Sequence, residues 1–298
     1  MKRKMTMVLA AMMAAGLMAG CSSGTSAETE AAAANEQTEV ETQESSQEES
    51  AEETSQEETE AAAEGAQTEI LVAAAASLKN AYEEELIPMF QEQNPGITVT
   101  GTYDSSGKLQ TQIEEGLEAD VFMSAATTQM DALNEEGLID SETMVDLLEN
   151  KIVLIVPSSS ELGLASFEDI AKAETIALGD PASVPAGQYA EDALTNLGIW
   201  DEIQDKVSFG TNVTEVLNQV AAASADAGIV YATDAASMAD QVTVIAEAPE
   251  GSLAQPVIYP VAVVKTTAHA EAAKAFVDFL QTDEAMAVFE SYGFAPGQ

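Results

Sequence analysis

The chain has 298 residues, 46% of them hydrophobic and only 5% aromatic, and 52 acidic against 10 basic residues give a formal charge of −42. So negative a chain excludes nucleic acid and anionic membrane surfaces as partners, since both require basic patches. One cysteine excludes a disulfide framework, and with one histidine neither a His-rich metal site nor a Ser–His triad is expected.

Lys2, Arg3 and Lys4 precede an apolar run from Met5 to Gly20 that is too short for a comfortable membrane span, so residues 1–20 read as an export signal. Leu17-Met18-Ala19-Gly20-Cys21 resembles the lipobox of bacterial lipoproteins, with Met18 where leucine is usual. Cys21 is therefore the candidate lipidation site; the alternative is an export signal with an incidental thiol. Residues 21–67 read as a linker. From Ser22 to Gln67 there are fourteen Glu and no Asp, Lys or Arg, among Ser, Thr, Gln and Ala. With almost nothing to bury, this tract is expected to be disordered, as a spacer off the membrane or a solvated tail. Beyond it the remaining acids and bases leave the chain from Thr68 onward near −31.

About 230 residues follow, enough for one large or two medium α/β domains. Strands are predicted at Glu69–Ala74, Ile97–Tyr103, Val121–Ser124, Ile152–Val156, Thr175–Leu178, Ala227–Tyr231, Val242–Ala246 and Val257–Val264. Helical patterns lie between them, near Leu78–Gln93, Lys108–Glu115, Thr127–Glu135, Val184–Asn196, Val213–Ala223 and Ala268–Leu280. Pro88 falls inside the first and should kink or split it. Strand–helix alternation predicts mostly parallel sheets with ligand loops at the carboxyl ends of the strands.

Four loops lead into helix starts with free backbone N–H groups. They are Ala76-Ser77-Leu78, Ser105-Ser106-Gly107-Lys108, Gly179 to Gly187 with Pro185 opening the helix, and Gly210-Thr211-Asn212-Val213. Each is a ready-made anion site, and none carries a paired cation, so their convergence would suit a small oxyanion held by neutral donors. Asp120 and Asp180, at strand boundaries, read as turn or cap residues. Trp200 reads as packing, and His269 as a surface residue at a helix start.

From Thr68 onward six segments follow one another: Ala74 to Leu78, Ser105-Ser106 with Leu109, Ala119 to Ala125, Gly179 to Asp201, Gly228 to Tyr231 and Tyr259 to Val264. In these segments, and in their order, the chain resembles the molybdate-binding proteins of ABC transporters. The resemblance implies a two-domain periplasmic-binding-protein fold of type II. Domain I would take residues 68–149 and 256–298, and domain II residues 150–255. It further implies that Ser77 and Ser106 offer hydroxyl and N–H, that Ala186 and Val213 offer N–H only, and that Tyr231 offers its phenol. The function implied is capture of molybdate, or of near-isosteric tungstate, and delivery to an ABC permease by a lipid-anchored, extracytoplasmic monomer. No cofactor, metal or enzymatic activity is expected. Another tetrahedral oxyanion, phosphate or sulfate, is the alternative, followed by an enzyme acting on a small anionic substrate. One residue departs from the family pattern. Asp104 precedes Ser105 where a small or neutral residue is expected. It is read as pointing to solvent or capping the helix near Lys108, or as an acceptor for the proton of hydrogen phosphate.

Overall fold

The computed structural model describes residues 67–297. The predicted export signal, Cys21 and all but the last residue of the acidic linker lie outside the described residues.

Eleven strands form two sheets among the described residues. The first holds β1 (Thr68–Ala75), β2 (Ile97–Asp104), β3 (Val121–Met123), β4 (Val145–Asn150), β10 (Val257–Val263) and β11 (Ala295–Pro296) in the order β11-β4-β10-β3-β1-β2. The second holds β5 (Ile152–Pro157), β6 (Ile176–Gly179), β7 (Val207–Gly210), β8 (Ala227–Tyr231) and β9 (Val242–Glu247) in the order β7-β6-β8-β5-β9. The chain therefore crosses between sheets twice, at Lys151 and between β9 and β10. Helices cover both sheets, and runs such as Ile152–Pro157 and Ala227–Tyr231 are buried throughout, as strands covered on both faces must be.

The sheets are mixed rather than mostly parallel. β1 pairs in parallel with β2 and β3, and β6 with β7 and β8. The pairs made by β5 and by β10, and the pair of β11 with β4, are antiparallel. The reason lies in the connections. A parallel pair needs a crossover helix, and helices of that kind follow β1, β2, β6 and β7. The passages from β4 to β5 and from β9 to β10 carry no helix, so these strands enter against the prevailing direction.

The eight predicted strands and six predicted helices are present with small shifts at their ends. Strands β4, β7 and β11 and the helices Ala232–Ser237 and Asp283–Ser291 add to them. Pro88 does split its helix. It sits at the start of Ile87–Gln93, directly after a π-helical stretch at Tyr82–Leu86. A wider turn is one way to accommodate the bond that a proline without N–H cannot make. Beneath this helix Tyr82, Phe90, Phe276 and Phe289 pack largely edge to face, with Phe90 and Phe276 centroids 5.0 Å apart at 88°.

Candidate anion-binding site

All five residues singled out as ligand contacts stand at the carboxyl ends of parallel strands. Ser77 follows β1 in a short 3-10 turn, and Ser106 follows β2 as the first residue of the helix Ser106–Glu114. Ala186 is the second residue of Pro185–Asn196, in the connection after β6. Val213 opens Val213–Ala221 after β7, behind Asn212, whose side chain accepts the Glu215 N–H. Tyr231 ends β8. The first N–H groups of a helix have no acceptor within it, so these starts present free donors.

The structure brings all five together. They line one small cavity of about 10 Å3, with Ser77 and Ser106 from the first sheet and Ala186, Val213 and Tyr231 from the second. That is about the space of a single water-sized sphere and far below the range of about 300–1,000 Å3 usual for organic ligands, so a metabolite does not fit. Larger hollows lie elsewhere, one of about 710 Å3 beside Asp120 and His269.

The two lobes touch across this cavity. Gly107 N–H donates to the Ser183 carbonyl at 3.0 Å, and Gln129 Nε2 to Gln188 Oε1 at 3.2 Å. The Tyr231 hydroxyl donates to the Ala125 carbonyl at 3.3 Å. Gly107 permits the first contact, because a Cβ there would lie 2.5 Å from Ser183 O. Gly187 has a parallel role within the second lobe, where a Cβ would lie 2.1 Å from Gly179 O, so only glycine lets this helix start abut the end of β6.

Burial raises the Tyr231 hydroxyl pKa well above its ordinary value, with Tyr259, Tyr189 and Asp234 adding to the effect. It therefore stays a phenol, and a donor, at any physiological pH. Ser106 Oγ accepts the Ala125 N–H at 3.0 Å, which leaves its own proton free. Ser105, absent from the expected contacts, also lines the cavity. Its hydroxyl is buried and has no hydrogen-bond partner among the described residues. The Ser105-Ser106 pair was visible in the sequence, but nothing local indicates which hydroxyl lacks a partner.

Asp104 lines the cavity and caps no helix. The N-cap is Ser105, whose own side chain caps nothing. Asp104 Oδ1 instead accepts from Ser105 N at 2.8 Å, from Lys108 Nζ at 3.1 Å and, across the cleft, from Asn212 Nδ2 at 3.3 Å. Asp120 accepts the Leu71 N–H at 2.7 Å and also holds Thr267 and His269, tying β1 to the turn after β10. Asp180 accepts the Ala182 N–H at 3.0 Å in a turn, and Trp200 packs half-buried against the main core.

Two mixed sheets, linked by a double crossing and bracketing a small cavity of donors, define a two-lobe solute-binding architecture. Residues 70–295 match the family model of bacterial extracellular solute-binding proteins. The putative ABC transporter substrate-binding lipoprotein YvgL of Bacillus subtilis is 42% identical over 76% of this chain and 85% of its own length. The molybdate-binding protein ModA of Haemophilus influenzae is 40% identical over 77% of this chain and 91% of its own. Among solved structures, the substrate-binding domain of a putative molybdenum ABC transporter from Clostridium difficile superposes with a TM-score of 0.61 at 37% identity, covering 78% of this chain and all of that one. The chain belongs to the bacterial extracellular solute-binding protein family.

Proposed function

We propose that the protein captures molybdate, or tungstate of nearly the same size and charge, outside the cytoplasmic membrane and delivers it to an ABC permease. The observation that carries this reading is the convergence of Ser77, Ser106, Ala186, Val213 and Tyr231, from both sheets, on one small cavity. Molybdate at neutral pH is a fully deprotonated dianion and only accepts hydrogen bonds. Helix-start N–H groups and hydroxyls meet that need, each charge-assisted bond contributing about 1.5–3 kcal/mol. Ser105 joins the set as a further donor, since its buried hydroxyl otherwise lacks a partner among the described residues. Hydrogen phosphate would also require an acceptor, and Asp104, a carboxylate that lines the cavity, already takes three donors on its Oδ1.

On this reading residues 68–149 with 256–298 form one domain and residues 150–255 the other. The two crossings serve as the hinge, and ligand closes the cleft by completing the donor set. We assign lipid attachment to Cys21, with the acidic linker as spacer and a monomer as the working unit. The Bacillus subtilis relative carries the name of a lipoprotein, which supports the anchor.

Isothermal titration tests the ligand assignment. The protein should bind molybdate and tungstate far more tightly than sulfate or phosphate, and tight binding of phosphate alone would overturn it. Anchoring is tested separately: Cys21→Ala should free the protein from membranes with affinity unchanged, and an unacylated Cys21 by mass spectrometry would refute it.

A further inference from the structure

The Ser77 hydroxyl ends a partly buried chain of hydrogen bonds that begins where the polypeptide leaves the first sheet. Asn150 is the last residue of β4, and its Oδ1 accepts the N–H of Lys151 at 2.8 Å. That contact fixes which way the amide faces. Its Nδ2 donates to Thr233 Oγ1, in the second lobe, at 3.0 Å and to the Tyr259 hydroxyl at 3.3 Å. The Tyr259 and Ser77 hydroxyls are 2.9 Å apart, and that distance alone does not say which donates.

Asn150 decides it. An amide nitrogen has no lone pair to offer, so the Tyr259 oxygen accepts there, and Ser77 is the remaining partner at hydrogen-bond distance for its proton. Burial keeps Tyr259 a phenol, raising its pKa well above the ordinary value. Having accepted from Tyr259, Ser77 directs its own proton into the cavity. The strand is shaped for this contact: the register of β10 against β4 shifts between Tyr259 and Pro260, at a proline that cannot donate to the ladder.

We propose that Asn150 and Tyr259 are positioning residues that polarise the Ser77 hydroxyl as an obligate donor to the bound oxyanion, an inference that rests on the ligand reading above. Neither residue lines the cavity, so both act through Ser77. An unrestrained serine can turn either its proton or a lone pair to a ligand. The relay removes that choice and favours a fully deprotonated dianion. Because Asn150 also holds Thr233 of the second lobe, donor orientation is coupled to the hinge.

A double-mutant cycle tests this. Tyr259→Phe should weaken molybdate binding by about five- to tenfold in the otherwise unmodified protein, and should have almost no further effect in Ser77→Ala. Asn150→Ala, which keeps both hydroxyls, should cause a smaller loss of about two- to threefold, again absent in Ser77→Ala. It decides the matter if Tyr259→Phe fails to fold, which melting without ligand reports. Equal losses in both backgrounds, or no loss from either variant, would overturn the relay. Absence of molybdate binding by the unmodified protein would instead overturn the ligand reading beneath it.

Discussion

Tyr231 closes the cleft from the second lobe with a side chain that has one donor and no substitute for it. In the closed arrangement its proton goes to the Ala125 carbonyl at 3.3 Å, a weak contact that a ligand oxygen can replace. Tyr231→Phe should therefore lower molybdate affinity by about ten- to a hundredfold, by titration, with little change in unliganded stability. Ser106→Ala differs, because it also leaves the buried Ala125 N–H without its acceptor. It should weaken binding and lower unliganded stability by about 1–3 kcal/mol, measured by urea unfolding. Beneath Tyr231, burial raises the Asp234 carboxyl to about 7, while the Tyr231 N–H pulls the other way. The folded state thus holds a proton that the unfolded state has lost between about pH 4 and 7. The associated stability is complete below that window and lost as pH rises through 7, at up to about 1.4 kcal/mol per pH unit. Asp234→Asn should flatten this slope between about pH 4 and 7, and an unchanged slope would assign the pH dependence elsewhere.

The elements that position the site were those most legible in the sequence. The apolar runs before Ser77, Ser106, Gly179 and Asn212 and the amphipathic stretches after them are local patterns, and local patterns survive folding. Val213 shows this best, since the helix expected there does begin at it, with Asn212 as its cap. What escaped was nonlocal or weakly patterned. β4 mixes Asp146, Glu149 and Asn150 with its apolar residues, and β7 is a four-residue edge strand whose Phe209 is 47% exposed. The antiparallel pairs follow from where the chain changes sheet, which no periodicity records. Asp104 with Asn212 and Asn150 with Tyr259 join residues more than a hundred positions apart. Gly107 illustrates the same limit, since only the facing Ser183 carbonyl gives its missing side chain a purpose. Gly107→Ala should favour the helix start by up to about 1 kcal/mol. It should nonetheless weaken molybdate binding tenfold or more, because neither backbone can yield without reopening the cleft. Paired titration and melting would show these opposite signs, and equal affinity for Gly107→Ala would mean that closure does not need this contact.

At the scale of the whole molecule, a folded part near −31 repels the anion it is proposed to bind. Affinity then comes from short-range donors, while the approach is slowed at long range. Raising ionic strength should speed association in stopped-flow measurements, with screening setting in over about 10 Å at 0.1 M. The central claim is that the donor cavity selects a fully deprotonated tetrahedral dianion of molybdate's size, and a thermal-shift panel of molybdate, tungstate, sulfate and phosphate tests it most directly. Molybdate at a hundred times its dissociation constant should stabilise the protein by about 2.7 kcal/mol, with tungstate alongside and the smaller sulfate and phosphate without effect. A shift from phosphate and none from molybdate would contradict the account.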